Sequence, residues 1–299
     1  MTEDPSNGKP KRPSYPGPRQ ILRYLRIVQE NLDDGTVTAR TPALDDLLDP
    51  GGAMRLGAIA PMCDLISGSV SSREVSPDWV ATLEFKLHLS ALVRDGWAHA
   101  RCRPIRVSKN NIVSRSRVFD DAGRVAGTSY VTFSRLPRRE DNPRVNPFKR
   151  SVMDYASPDE EPRLPLDEYL GLRFLGRDTL ADPTAAPSGD APPVDVAVLE
   201  LDHHPRIHNS FGSIQGGATA ALLERAGAYA AELALGVPTR SIDLHFHYLA
   251  QARVSPFRVT AEVVRADERG VLCAVELTDL GQDGRLAAVG TVFAVPIAN

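Results

Sequence analysis

Cysteine is scarce, with only Cys63, Cys102 and Cys273 among 299 residues. They lie far apart, form no C-x-x-C pair, and their odd number argues against a disulfide scaffold or a zinc ladder. No run of about 18 apolar residues occurs, so no membrane-spanning helix and no membrane partner are expected. The first twenty residues, MTEDPSNGKPKRPSYPGPRQ, lack the apolar core of a secretory signal. A soluble cytoplasmic protein is therefore the expectation. Excess charge is small too, with 35 Lys and Arg against 38 Asp and Glu, a net of −3. A general nucleic-acid binder needs a basic excess, so no nucleic-acid partner is expected. There is no G-x-S-x-G nucleophile elbow, and the Gly216-Gly217 pair is not followed by the Lys-Ser/Thr of a phosphate-binding loop.

What the chain does have is apolar residues, 42% of the total, enough for real cores. Its length suggests two units. Residues 1–20 are polar and Pro/Gly-rich and read as a disordered tail. Residues 137–165 hold six prolines in a mostly charged stretch, which reads as a linker rather than helix or sheet. That leaves a first unit over 21–136 and a second over 166–299, the latter with a long loop at 181–193.

The two units repeat each other. TLEFKLHL from Thr82 and SIDLHFHYL from Ser241 both alternate strictly, the pattern of a half-buried strand. Leu83, Phe85, Leu87 and Leu89 are expected on one face, with Thr82, Glu84, Lys86 and His88 opposite. Ile242, Leu244, Phe246 and Tyr248 likewise oppose Ser241, Asp243, His245 and His247. The segments ending at Phe133 and Phe293 each pass through a Gly-containing turn into a strand, a hairpin pattern, at nearly the same separation.

Before each alternating strand lies a small-residue helical stretch. Gly216 to Gly236 is Ala-rich and apolar nearly all round, so it should be buried, and Gly236 followed by Pro238 should stop it. LGAIAPMCDLISGSV from Leu56 is similar, with Pro61 as an expected interruption. The fold class that follows is α+β: in each unit, a curved antiparallel sheet wrapped round one central helix.

With the residues NSFGSIQGGATAALLERAG, this arrangement resembles the hotdog-fold acyl-CoA thioesterases, in particular the phenylacetate-pathway (PaaI-like) type. That family shows Asn, Gly, then His-Gly-Gly opening the central helix, and an acid nine positions after the His. Asn209, Gly212, Gln215-Gly216-Gly217 and Glu224 stand at those places here, and Ser241 matches the Ser of the following strand. The first half matches more weakly through Asp49, Gly52, Arg55-Leu56-Gly57, Asp64 and Thr82. Two such halves resemble a double hotdog, a covalent version of the family's dimer. The departures are Gln215 for His, Glu224 for the commoner Asp, Asp49 for Asn and Leu56 for Gly.

Thioester hydrolysis needs a carboxylate to activate water or attack the carbonyl, and donors to meet the developing oxyanion. Asp64 and Glu224 are the carboxylates, each being an isolated acid in a small-residue helix. Either could instead serve in a structural ion pair. Gln215 and Gly216 at a helix start offer donors, although two glycines could merely permit close packing. Asn209 and Thr82 complete the expected catalytic set, with Gly217, Ser241 and Arg55 as substrate-binding residues. Gln215 and Glu224 are nine residues apart, about 13 Å along a helix. One carbonyl cannot reach both, so donors of one half should serve the acid of the other. Asn209, Gln215 and Gly216 would then join Asp64 and Thr82, while Asp49, Arg55 and Leu56 would join Glu224 and Ser241. The first of these sites is expected to carry most turnover, because Asp49 would repel an oxyanion and Leu56 and Arg55 crowd the helix start.

His245 and His247 sit at i, i+2 on one strand face without an acid or third His at ligand spacing, so no metal is expected there. His203, His204 and His208 precede the glycine motif in a loop, where one could shape the site, and they read mainly as solvated residues. Arg101, Arg103, Arg106, Arg115 and Arg117 read as an exposed strand face, some of which could meet coenzyme A phosphates. The expected activity is hydrolysis of an acyl-CoA to free acid and coenzyme A without a cofactor. A homo-oligomer through sheet or helix faces is possible. A hotdog-fold hydratase or dehydratase using His208, or a non-catalytic acyl-CoA-binding protein, are the competing readings.

Overall fold

The computed structural model describes residues 16–17, 19–138, 150–155, 163–180 and 194–298. Most of the expected tail (1–15), much of the expected linker (139–149 and 156–162) and the whole expected loop at 181–193 lie outside the described residues.

The first half starts with a helical turn α1 (Ile21–Tyr24), then β1 (Val28–Asn31), β2 (Val37–Pro42) and helix α2 (Leu56–Glu74). Strands β3 (Trp79–Leu89), β4 (Trp97–Val107), β5 (Asn111–Phe119) and β6 (Val125–Leu136) follow. A short β7 (Ser151–Asp154) precedes the second half, which repeats the order. It runs α3 (Leu166–Tyr169), β8 (Arg173–Leu180), β9 (Val194–Leu201), helix α4 (Gly216–Leu235), β10 (Thr239–Tyr248), β11 (Phe257–Asp267), β12 (Gly270–Asp279) and β13 (Arg285–Pro296).

Among the described residues, the thirteen strands form one sheet, in the order β7-β1-β2-β4-β5-β6-β3-β10-β13-β12-β11-β9-β8. β3 and β10, the alternating strands of the repeat, pair antiparallel and join the halves edge to edge, Asp243 opposite His88 and His247 opposite Glu84. Joining them removes two edges that would otherwise expose unpaired backbone. Phe85 and Phe246 meet in this seam with ring centroids 5.6 Å apart, both fully buried. Each such side chain contributes roughly 1.5–3 kcal/mol of burial.

The segment expected to be a linker does add to the sheet. β7 pairs with β1, Gln29 opposite Met153. Four residues free of proline suffice for an edge strand, and the prolines fall outside them.

Both long helices pack against one another and against the sheet. Gly57 lies against Ala221 and Glu224, Pro61 against Gly217 and Asp64 against Gly216, so the helices run antiparallel. α4 is buried along most of its length and ends at Gly236 in the left-handed conformation (φ 69°), as its composition implies. Pro61 does not interrupt α2, which continues through it to Glu74. Its residue four positions earlier is Gly57, which has no side chain to add to the crowding at the ring.

Strict alternation fails at one place in each central strand. The register shifts between Thr82 and Glu84 in β3 and between Ser241 and Asp243 in β10. Beyond the shift Phe85 and Leu87 are buried as expected, but Leu83 is 38% exposed while Thr82 turns inward to the helix. Ser241 is buried in the same way. An extra residue in one strand moves everything before it to the other face.

Candidate active site

Asp64 sits two turns into α2 and faces the first residues of α4. Gln215 caps α4: its Oε1 accepts from the Ala218 N–H at 2.8 Å, and its Nε2 donates to Asp64 Oδ2 at 3.1 Å. The same amide thus holds the helix start and meets the acid of the other half. Thr82 Oγ1 donates to Asp64 Oδ1 at 3.2 Å from the bulge in β3, and the Gly217 N–H also reaches this carboxylate. The fit is tight, since a methyl group on Gly216 would lie 2.7 Å from Asp64 Oδ2. On Gly217 it would lie 2.3 Å from the Pro61 backbone.

Burial pushes Asp64 up to about 6, with Thr82 and Gly217 acting against it by bonding the anion. A carboxyl in that range changes protonation readily near neutral pH, as a general base must. Asp64, Thr82, Gln215 and Gly216 line a cleft of about 1170 Å³. Its walls are largely apolar, including Trp79, Phe133, Phe211, Ile214 and Leu249, with Arg138 and Arg253 among its exposed residues.

Asn209 also lines the cleft, but its side chain is engaged in its own loop. Oδ1 accepts from the N–H groups of Phe211 and Ser213, and Nδ2 donates to Ser213 Oγ at 2.7 Å. It shapes the turn leading to α4 and makes no contact with Asp64 among these bonds.

The pseudo-equivalent place around Glu224 is arranged similarly and filled differently. A methyl group on Gly57 would lie 2.6 Å from Glu224 Oε2, so the donor helix start of the first half faces the acid of the second. Asp49 accepts from Gly51 N–H at 2.8 Å, repeating the Asn209 turn. Its carboxylate is also clamped by Arg240 through two contacts, Nη2 to Oδ1 at 2.9 Å and Nε to Oδ2. Arg55 pairs with Asp167 at 3.0 Å, and Arg225 holds the other oxygen of Asp167 at 2.9 Å. The space left among Asp49, Arg55, Glu224, Arg240 and Ser241 is about 10 Å³. That holds at most one water. Burial raises Glu224, opposed by the neighbouring Ser241, Arg55 and Arg225.

Of the expected cross-pairing, Gln215 and the start of α4 meet Asp64, and the Gly57 end of α2 lies against Glu224, whereas Asn209 is held in its own loop, Asp49 by Arg240 and Arg55 by Asp167. Arg240, Asp167 and Tyr248 were not expected. Arg240 neutralises Asp49, and the Tyr248 hydroxyl donates to Gly216 O at 2.6 Å, fixing the start of α4. Arg240 precedes Ser241 in the strand, and only its side-chain contact reveals its role. The loop histidines are not merely solvated: the His208 and His203 rings lie against each other, tilted by 50° with centroids 3.6 Å apart, and burial pushes His208 down to about 4. His208 is not among the residues lining the cleft, which leaves the hydratase reading without its base. Arg101, Arg103, Arg106, Arg115 and Arg117 are exposed as expected, and none lines the cleft.

Comparison with known proteins agrees with this architecture. Residues 211–285 match the family model of the thioesterase superfamily, and residues 8–130 match that of the acyl-CoA thioesterase C-terminal domain. No curated protein sequence matches the chain. A hotdog-fold protein of unknown function from Alicyclobacillus acidocaldarius superposes with a TM-score of 0.59 at 15% identity, over 93% of this chain and 98% of that one. An acyl-CoA thioesterase II from Mycobacterium marinum gives 0.57 at 13% identity, over 92% and 97%. An acyl-ACP thioesterase from Bacteroides thetaiotaomicron gives 0.52 at 12% identity, over 88% and 98%. These likenesses extend over both halves, so the tandem arrangement as well as the single unit is shared. Among the described residues, no helix is long and apolar enough to cross a membrane. With segments of both halves matched by thioesterase family models, the chain belongs to the thioesterase superfamily, a group of thioester hydrolases, and it shares the double-hotdog fold with these solved structures.

Proposed function

We propose that the protein hydrolyses acyl-CoA thioesters at the cleft around Asp64. The observation that carries this reading is the buried Asp64 carboxyl, raised to about 6, facing the capped start of α4 inside a large apolar cleft. Asp64 takes a proton from a water as that water attacks the thioester carbonyl, or attacks the carbonyl itself. The oxygen that becomes negative meets the start of α4. Gly216 is the first helical residue, so its N–H has no acceptor within the helix. Gln215 Nε2 adds a second donor. When water attacks, collapse of the tetrahedral intermediate expels the coenzyme A thiolate and leaves the acid; when Asp64 attacks, collapse leaves an acyl anhydride on Asp64, which a water then hydrolyses to the acid and the free carboxylate. Thr82 holds the carboxylate in place, Gly217 lets α4 approach α2, and Asn209 builds the turn.

The acyl group lies along the apolar wall near Trp79, Phe133 and Phe211, and the phosphates of coenzyme A meet Arg138 and Arg253. The pocket at Glu224, Ser241 and Arg55 is closed by its ion pairs and serves structure. The division into halves over 21–136 and 166–299 remains part of this proposal.

The test is thiol release from short, medium, long and aryl acyl-CoAs, with wild type beside Asp64→Asn. Turnover by wild type that is lost in Asp64→Asn supports the reading. Binding of acyl-CoA without thiol release, or equal turnover by both proteins, overturns it.

A further inference from the structure

On the outer face of the seam, a second group of side chains converges that the cleft does not use. Strand alternation beyond the bulges sends Glu84 of β3 and His245 and His247 of β10 to the side opposite the buried Phe85 and Phe246. In the register, Glu84 stands directly opposite His247, and Lys86 opposite His245. His245 Nε2 lies 2.8 Å from Glu84 Oε1, and the two imidazole rings are 4.9 Å apart. One ligand atom from each of Glu84, His245 and His247 fits within 4.8 Å of the others. Glu84 and His245 are half-buried and His247 is exposed, so the group is partly walled and open on one side.

We propose that Glu84, His245 and His247 bind a divalent transition-metal ion of the zinc class, which clasps the two halves across the β3–β10 seam. Two borderline imidazoles and one hard carboxylate oxygen make a donor set that zinc accepts, and the open side admits a water as fourth ligand. Zinc bonds of about 2.0–2.1 Å place tetrahedral ligands about 3.3 Å apart, a modest contraction from the spacing seen. Glu84 is already oriented: Thr132 Oγ1 donates to Glu84 Oε2 at 3.0 Å, leaving Oε1 to turn toward the histidines. Such outer contacts fix a ligand's direction. The opposing feature is Lys86, whose ammonium shares this face and weakens cation binding. His88 and Asp243, further along the seam, are engaged with each other at 3.1 Å.

The clasp is separate from the hydrolysis proposed at Asp64. Thr82 and Tyr248, next to the clasp residues in sequence, point inward to the cleft. The ion would add a link between strands contributed by different halves, where only five residue pairs join them. Binding to the folded chain alone raises its stability.

The experiment uses the full untagged chain, freed of metal by chelation. Zinc chloride is titrated in calorimetry, cobalt chloride is followed by visible absorption, and the unfolding temperature is recorded with and without zinc. The expected result is one ion per chain, tetrahedral cobalt bands, and a zinc-dependent rise in unfolding temperature. Glu84→Gln, which preserves shape, and His247→Ala should each weaken affinity at least tenfold and abolish the thermal shift. His203→Ala should change neither. No stoichiometric binding, or binding that survives in the His245→Ala, His247→Ala double variant, overturns the proposal. Circular dichroism establishes that each variant is folded before its affinity is compared.

Discussion

The two helix starts of this molecule occupy equivalent places in a repeated fold and have opposite contents. At α4, a neutral Gln215 and two glycines meet Asp64 beside a cleft of about 1170 Å³. At α2, Arg55 and Leu56 open the helix, and the space beside Glu224 shrinks to about 10 Å³. Asp49 is the pivot. Where Asn209 needs no counter-charge, Asp49 takes Arg240, and the pair lines the closed space beside Glu224. The difference has a physical cause: a buried carboxylate requires a cation beside it, and the cation takes up space that a neutral amide leaves open. The expected repulsion between Asp49 and an oxyanion is thus replaced by a different obstacle, occlusion.

The comparison breaks first at the acids. Asp64→Asn should lower kcat by about 10²–10⁴-fold, the range for losing a general base, while Glu224→Gln should change it less than about threefold. Steady-state thiol release decides, and a crippling Glu224→Gln would reverse the assignment of the two sites. Asn can keep the neighbouring bonds, with Oδ1 accepting from Gln215 and Nδ2 donating to Thr82. It also removes a buried charge, so Asp64→Asn should unfold at higher denaturant at pH 7. The rise in Asp64 from 3.8 to about 6 caps that gain at about 3 kcal/mol.

The glycines extend the contrast. Gly216→Ala would press a methyl group against Asp64 Oδ2, so it should cut turnover by about tenfold or more. Gly57→Ala meets Glu224 Oε2 and the Ala221 backbone instead. It should destabilise by about 1–3 kcal/mol through overpacking and leave kcat of the folded fraction intact. Kinetics and urea denaturation on the same two proteins separate these outcomes.

The ion pair offers a stability test. Arg240→Ala strands Asp49 in a buried position and should cost about 3 kcal/mol. Adding Asp49→Asn should recover most of that loss, since no charge is then left buried. Full additivity of the two losses in a double-mutant cycle would show that the pair is not coupled.

Acidity sharpens the role of Asp64. Turnover should rise about tenfold per pH unit below about 6 and level off above it, as the carboxylate forms. Stability should move the other way. The folded protein binds this proton more tightly than the unfolded chain, so the contribution is present below about 4 and lost as pH rises through about 6. In Asp64→Asn that part of the stability profile should disappear.

The smallest effect belongs to Gln215→His. A neutral imidazole can accept from Ala218 N–H at Nδ1 and donate to Asp64 from Nε2, replacing both amide contacts. Activity should stay within about threefold at pH 8, and loss of activity in a folded variant would remove Gln215 from the site.

Taken alone, the sequence determined the elements and their repetition. Alternation marked β3 and β10, small-residue composition marked α2 and α4 as buried, Gly236 marked the stop, and the nine-residue gap from Gln215 to Glu224 already required the halves to share sites. These properties depend on neighbours a few residues apart, which the chain writes locally. Three matters were decided only in the folded molecule. The bulges after Thr82 and Ser241 reversed the facing of these residues, because strand register depends on a partner strand. Arg240 met Asp49 across 191 positions, closing one pocket. Glu84 met His245 across 161 positions, bringing an acid from the other half to the histidine pair. The last two join side chains from different halves of the chain, and the distance between such groups is set by how the halves pack together, which no local pattern in either half encodes.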